Sequence, residues 1–227
     1  MRSRKGQALE VSAFLFLIVP STIVSLFTVG QWNQGFVLTA SSVILRDLAL
    51  CSLVFFFLWR NTESPRAIGW TLRNWPGQVA LGIVSFPLMF LGAMLTAWLF
   101  LKMGLSAPHS ALRSVLSVRS WSQAPLAILL VAVVAVTEET IFRGYLLLRF
   151  KAVCRSTPVA VVLSTLVFTM GHSYEGGVGL ATVALLGFFF ALVYLRTGSL
   201  VAPMVLHFLQ DFVGVVAVPL LTGGQMK

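Results

Sequence analysis

Long runs of apolar residues, separated by short polar segments, dominate the pattern along this chain. Seven runs stand out, at residues 8–29, 36–59, 77–101, 125–149, 157–171, 178–195 and 200–221. A helix rises ~1.5 Å per residue, so about 20 apolar residues cross the ~30 Å hydrocarbon layer of a bilayer. The pattern therefore predicts an all-α, polytopic membrane protein with about seven transmembrane helices, of which the fifth is the shortest.

Composition agrees with a chain that lies mostly in lipid. Of the 227 residues, 58% are hydrophobic and only 10% are charged, whereas a soluble domain has about 25% charged residues. We predict a single integral-membrane domain over residues 1–227. The two cysteines are read as ordinary thiols, because one lies in an apolar run and the other in a short basic loop.

The net charge of +9 indicates the orientation of the chain rather than a nucleic-acid partner. Most basic residues follow the N-terminus or the second, fourth and sixth runs: Arg2, Arg4, Lys5, Arg60, Arg66, Arg73, Arg149, Lys151, Arg155 and Arg196. All of these lie on one side if the N-terminus is cytoplasmic, as the positive-inside rule favours. The first run is read as an uncleaved span rather than a signal peptide, because it exceeds the ~7–15 residues of an h-region.

The loop after the third run does not fit this orientation, because it carries Lys102, Arg113 and Arg119. Its apolar residues at 112, 115, 116 and 118 lie close to one helical face. This spacing is compatible with an interfacial amphipathic helix, but a plain connecting helix is the preferred interpretation.

The fourth run contains charged residues where a spanning helix should be apolar. Glu138, Glu139 and Arg143 lie inside it, and each charge near the bilayer centre costs ~2.5–3.5 kcal/mol on insertion scales. Glu139 and Arg143 are four residues apart and share a helix face, whereas Glu138 points about 100° away. One reading is a structural Glu–Arg pair. The other is a functional site in which a supported carboxylate stands beside a free one.

Further ionisable residues occur at helical spacing in the fifth and seventh runs. His172 follows Phe168 by four positions, and Asp211 follows His207 by four. Each pair can be explained structurally, by an interface histidine or by a self-satisfied His–Asp pair. Together with the glutamates, these residues form a set that can activate water or bind a divalent metal such as zinc through nitrogen and oxygen ligands.

Three short motifs carry a resemblance to a known family. The segments EETIFRG, FTMGH and HFLQD resemble the EExxxR, FxxxH and HxxxN/D motifs of the CPBP family of CAAX proteases and bacteriocin-processing enzymes, also called the Abi family. The three motifs occur in the family's order, within a core at residues 125–221. The family includes the type II CAAX prenyl endopeptidases, so the resemblance implies an intramembrane endopeptidase with its active site in a membrane-embedded cavity.

The resemblance also implies a role for each matching residue. Glu138 would activate water, His172 would assist it, and His207 with Asp211 would polarise the scissile carbonyl. Glu139, Arg143 and Phe168 would support the site. Asp211 departs from members with asparagine, because an ionised aspartate only accepts hydrogen bonds. Family members are described both as metalloproteases and as metal-free glutamate proteases, so a metal held by Glu138, His172 and His207 stays one of two hypotheses.

Two further functions remain compatible with the residues alone. The same buried acids and histidines would suit a proton- or cation-coupled carrier, and a non-catalytic immunity or scaffold protein could keep the same fold. The expected partners are the lipid bilayer and a membrane-associated peptide or protein substrate, in a prokaryotic cell membrane. Arg46, near the middle of the second run, is expected to pair with a carboxylate on another span or to line the cavity, because adjacent Asp47 does not face it on a helix.

Overall fold

The computed structural model describes residues 4–28, 35–105, 116 and 118–222, with the backbone alone for residues 19–28. Within that part of the chain all regular structure is helical. The long helices are α1 (Arg4–Thr28), α2 (Phe36–Arg60), α3 (Trp75–Lys102), α4 (Trp121–Cys154), α5 (Thr157–Gly171), α6 (Gly176–Thr197) and α7 (Val201–Leu221). They match the seven predicted spans to within a few residues, which confirms the all-α class. The amphipathic segment at 112–118 lies outside the described residues except for 116 and 118.

Five of the described helices are long and apolar enough to cross a membrane, namely α2, α3, α4, α7 and the segment Ser173–Thr197 that contains α6. Helix α5, with 15 residues, is shorter than a span, since it rises only about 22 Å. Half of the most apolar window of α4 is buried, compared with 17% to 28% in the other four. Helix α4 is therefore the centre of the bundle, and the protein is an integral membrane protein.

Helix α2 runs parallel to α4, and helix α7 runs antiparallel to it. Near the start of α4, Ala127 and Leu130 cluster with Ala40 of α2 and Val216 at the end of α7. Near its end, residues of α4 cluster with the C-terminal part of α2 and with α1 and α5. These directions bring the middle of α7 against the middle of α4, where the predicted ionisable residues lie.

Two stretches of π-helix interrupt the long helices beside the predicted site. Thr140–Leu146 follows Glu139 directly, and Phe212–Ala217 follows Asp211. Such wider turns are rare, and they occur frequently at functional sites. Both π-helical stretches lie within long helices, next to ionisable side chains, rather than at helix ends.

A buried polar network connects α1 to the end of α4. Arg149, which the sequence places among the basic residues after the fourth run, has a side chain only 2% exposed. It forms a bidentate pair with Glu63 at 3.0 and 2.6 Å and also binds Glu10 of α1. Tyr145 donates a second hydrogen bond to Glu10 at 2.6 Å. Two carboxylates thus compensate the arginine, which explains how it can be buried.

Candidate active site

A cavity of about 250 Å³ lies among α1, α2, α4, α5, α6 and α7. Its wall is mostly apolar, with a polar set that comprises Arg46, Asp47, Glu138, His172, Tyr174, Glu175, His207, Gln210 and Asp211. All four residues expected to be catalytic therefore face one space, although they come from two helices, α4 and α7, and from the turn that follows α5.

Glu139 connects two of the predicted residues. Its Oε1 accepts a hydrogen bond from Arg143 Nη1 at 2.9 Å and lies 2.8 Å from Nδ1 of His207. The side chain of Glu139 is completely buried, and that of Arg143 is 2% exposed. Because a carboxylate only accepts hydrogen bonds, Nδ1 of His207 must carry a hydrogen. Glu139 therefore holds Arg143 on its own helix and fixes the ring of His207 on α7.

His172 is oriented in the same way by a different partner. Its Nδ1 lies 3.0 Å from the backbone carbonyl oxygen of Phe168, which can only accept, so Nδ1 carries the hydrogen. In the neutral ring Nε2 then has a free lone pair. That atom lies 4.0 Å from Oε2 of Glu138, so the turn at the end of α5 presents an acceptor nitrogen to the cavity.

Glu138 lies between the two histidines. Its Oε2 is 4.0 Å from Nε2 of His172 and 3.8 Å from Nε2 of His207. These separations exceed a hydrogen bond, and this buried oxygen makes no hydrogen bond with any described residue. A buried carboxylate oxygen without a donor is unfavourable by about 1–3 kcal/mol or more. Glu138 is consequently available to a donor that enters the cavity.

Asp211 lies one turn beyond His207 and approaches its outer nitrogen. The Oδ2 atom of Asp211 is 3.4 Å from Nε2 of His207. The imidazole thus has a carboxylate opposite each ring nitrogen, Glu139 at Nδ1 and Asp211 at Nε2. This arrangement suits a ring that donates from both nitrogens, and it places the acceptor-only Asp211 beside His207.

Aromatic rings hold these groups in place. The Arg143 guanidinium lies 4.1 Å from the centre of the Phe168 ring and 5.1 Å from that of Phe190, within cation–π range. Phe190 also stacks on His207, with ring centres 5.1 Å apart. Phe190 was not predicted from the sequence, because it lies in a run of three phenylalanines that gives no sign of which one faces inward.

Gly187 of α6 allows this close packing. Its carbonyl accepts a hydrogen bond from Arg143 Nη2 at 3.2 Å. A Cβ at this position would lie 2.9 Å from Cδ1 of Phe168 and 3.2 Å from Nη2 of Arg143. Neither neighbour can move easily, since both pack against further site residues.

We expect Gly187→Ala to destabilise the protein by about 1–3 kcal/mol, the usual range for overpacking, and to reduce any activity of the site. Gly214→Ala is the matched control, because a Cβ at Gly214 meets nothing within 4 Å. Thermal unfolding of the two variants in the same detergent checks the difference. Equal melting temperatures for both variants would contradict the close packing described at Gly187.

Arg46 lines the cavity, which was one of the two alternatives predicted for it. The other alternative, a pair with a carboxylate on another span, was wrong. Arg46 pairs with its neighbour Asp47 rather than with another span: Nε and Nη2 both lie 2.9 Å from Oδ1. The long arginine side chain bends back far enough to overcome the poor alignment of adjacent helical positions. Asp47 in turn accepts a hydrogen bond from Thr137 of α4 at 3.4 Å, next to Glu138.

As arranged, Glu138, His172 and His207 do not form a tetrahedral zinc site. No group of three or more His, Cys, Asp or Glu side chains among them is placed to hold a metal ion. Ligands that share a tetrahedral zinc with bonds of ~2.0–2.1 Å lie about 3.3 Å apart. The Glu138 oxygen is 4.0 and 3.8 Å from the two histidine nitrogens, so these three residues as arranged do not form such a site.

The fold and the site together define an integral membrane protein, built of helices, with a cavity that joins a free carboxylate to two oriented histidines. A family model described as type II CAAX prenyl endopeptidase Rce1-like matches residues 120–213. That range is less than half of the chain but contains all three motifs. Residues 120–213 are therefore similar to the Rce1-like CAAX protease family, and the resemblance drawn from the motifs is confirmed. No curated protein and no solved structure matches the chain.

Proposed function

We propose that the protein is an intramembrane endopeptidase in which Glu138 activates water for direct attack on a peptide bond. The observation that carries the proposal is the position of Oε2 of Glu138, which has no hydrogen-bond donor among the described residues and faces Nε2 of both histidines. A general base needs a free acceptor within reach of the proton that it removes. The family match at residues 120–213 supports protease chemistry over other uses of such a carboxylate.

The attack step requires one proton transfer and one new bond. Glu138 takes a proton from water while the water oxygen bonds to the scissile carbonyl carbon. His172 accepts a second hydrogen bond from that water through Nε2 and so orients it. Positioned proton transfer of this kind contributes typically 10²–10⁴-fold to a rate.

The negative charge that develops on the carbonyl oxygen needs a donor. His207, protonated on both nitrogens, donates from Nε2 to this oxyanion, while Glu139 holds Nδ1 and Asp211 stabilises the ring. Removing one such donor typically lowers kcat by about 10²–10³-fold. The C–N bond then breaks, and the protonated Glu138 gives its proton to the leaving amine. No covalent enzyme intermediate forms, and Glu138 ends as a carboxylate again.

The substrate is proposed to be the C-terminal region of a membrane-anchored peptide or protein. A wall rich in apolar side chains, between helices that are long enough to span the bilayer, suits a chain that approaches from the lipid. The family name refers to prenylated CAAX sequences, in which a lipidated cysteine precedes three C-terminal residues.

The test is cleavage of a prenylated CAAX peptide by the purified protein in liposomes. Mass spectrometry should detect a peptide released from the C-terminal side of the cysteine, at a rate unchanged by exhaustive metal chelation. Loss of activity on chelation and its recovery with zinc would replace the metal-free mechanism by a metal-dependent one. Proton-coupled flux without any proteolysis would instead favour the carrier.

A further inference from the structure

Arg46 is a charged residue in the middle of α2 that the catalytic proposal does not use. It is the eleventh of the 25 residues of α2, so it lies far from either helix end. An arginine near the centre of a span costs ~2.5–3.5 kcal/mol on insertion scales and usually marks a functional pathway. Asp47 compensates the charge in part, but a neutral pair of side chains would avoid the cost altogether.

The guanidinium retains donors for a further partner. Among the described residues its hydrogen bonds go only to Oδ1 of Asp47, from Nε and Nη2. A guanidinium has five N–H groups, so both hydrogens of Nη1 and one of Nη2 remain. The side chain is 61% exposed, and it lines the cavity. These donors are thus accessible to a ligand in the same space as Glu138.

Arg46 is also the only lysine or arginine among the described residues that line this cavity, where Asp47, Glu138, Glu175 and Asp211 supply carboxylates. A negatively charged group on a substrate would be repelled by most of these polar residues. Apart from the protonated His207, which the proposed function assigns to the oxyanion, only the guanidinium among the described lining residues offers it a positive charge. Arginine binds a carboxylate through two parallel hydrogen bonds.

A CAAX peptide, which is cut three residues from its C-terminus, carries a negatively charged group there, its free C-terminal carboxylate. Three extended residues span about 10 Å, and Glu138 and Arg46 line the same cavity of about 250 Å³. Resting on the proposed function, we propose that Arg46 binds the free C-terminal carboxylate of the substrate and so sets the distance from the chain end to the cut. Arg46 lies outside the family match at 120–213, so the subsite belongs to the N-terminal part of this chain.

The experiment compares two prenylated CAAX peptides that differ only in a C-terminal carboxylate or carboxamide. The wild-type protein should cleave the carboxylate peptide with a kcat/KM about 10- to 100-fold higher, as expected for a charge-assisted pair. Arg46→Gln should remove most of this preference through KM while the carboxamide peptide is cleaved as before. Arg46→Lys keeps the positive charge but lacks the two parallel N–H donors of the guanidinium, so it should retain part of the preference. Arg196→Gln, an exposed arginine outside the cavity, is the matched control.

Equal cleavage of the two peptides by the wild-type protein would overturn the carboxylate subsite while leaving the endopeptidase intact. The carboxylate subsite would also be overturned if Arg46→Gln slowed the cleavage of both peptides equally, because the arginine would then act on Glu138 or on the fold. Cleavage of neither peptide by the wild-type protein would overturn the proposed function itself. The wild-type comparison does not depend on how well any variant folds.

Discussion

Replacing Glu138 with glutamine should abolish cleavage while the protein still inserts and folds. An amide has nearly the same shape as the carboxylate but cannot take a proton from water at neutral pH. Because Glu138 makes no hydrogen bond with a described residue through Oε2, the substitution removes no hydrogen bond of this oxygen that connects the helices. We expect kcat to fall by about 10²–10⁴-fold, the range of general-base catalysis, with little change in KM.

Glu63→Gln is the matched control for this variant. Glu63 is an acid that pairs with Arg149 at the far end of α4, and it does not line the cavity. The control should keep its activity even though it melts at a lower temperature, because the buried Arg149 loses one of its two carboxylates. Cleavage by Glu138→Gln at the wild-type rate, on a peptide whose cut site is confirmed by mass spectrometry, would refute the role assigned to Glu138.

The positions of the helices could be predicted from the sequence because lipid imposes a simple rule. Each backbone polar group must be satisfied within its own helix, so a span appears as an unbroken apolar run of sufficient length. The run at 157–171 was predicted with the same limits that α5 has in the structure. Similarly, Glu138, His172, His207 and Asp211 could be identified because ionisable groups at helical spacing are conspicuous against an apolar background.

The burial of Arg149 could not be predicted in this way. An arginine at the end of an apolar run usually faces the cytoplasm, and nothing local distinguishes one that is paired. Its partners Glu10 and Glu63 are 139 and 86 residues away along the chain. Only the packing of α1 and of the end of α2 against α4 brings them together, and that packing depends on the whole bundle.

The hydrogen-bond partner of each histidine nitrogen could not be predicted from the sequence either. The spacing of Phe168 and His172 suggests a shared helix face but not that Nδ1 of the histidine meets the Phe168 carbonyl at 3.0 Å. The contact between Glu139 and His207 joins α4 to α7 over 68 residues. These contacts decide which nitrogen faces Glu138, so the chemistry follows from the tertiary structure rather than from the motifs alone.

Glu139 should be required for both stability and turnover, and two variants separate these roles. Glu139→Gln leaves the buried Arg143 without its paired carboxylate, beside the Gly187 carbonyl and three phenylalanine rings. Removing one partner of a buried ion pair is strongly destabilising, by about 3–5 kcal/mol. We therefore expect a clear fall in melting temperature together with a loss of activity.

The double variant Glu139→Gln/Arg143→Met should recover most of this stability, because it removes the uncompensated charge and fills its space with an apolar side chain. Its activity should stay at least about 10-fold below wild type, with the loss in kcat, since a neutral amide stabilises a protonated His207 less than a carboxylate does. Thermal unfolding and steady-state kinetics on the same preparations measure the two effects. A double variant that regains both wild-type stability and wild-type kcat would show that Glu139 only balances Arg143, and that the orientation of His207 does not depend on its charge.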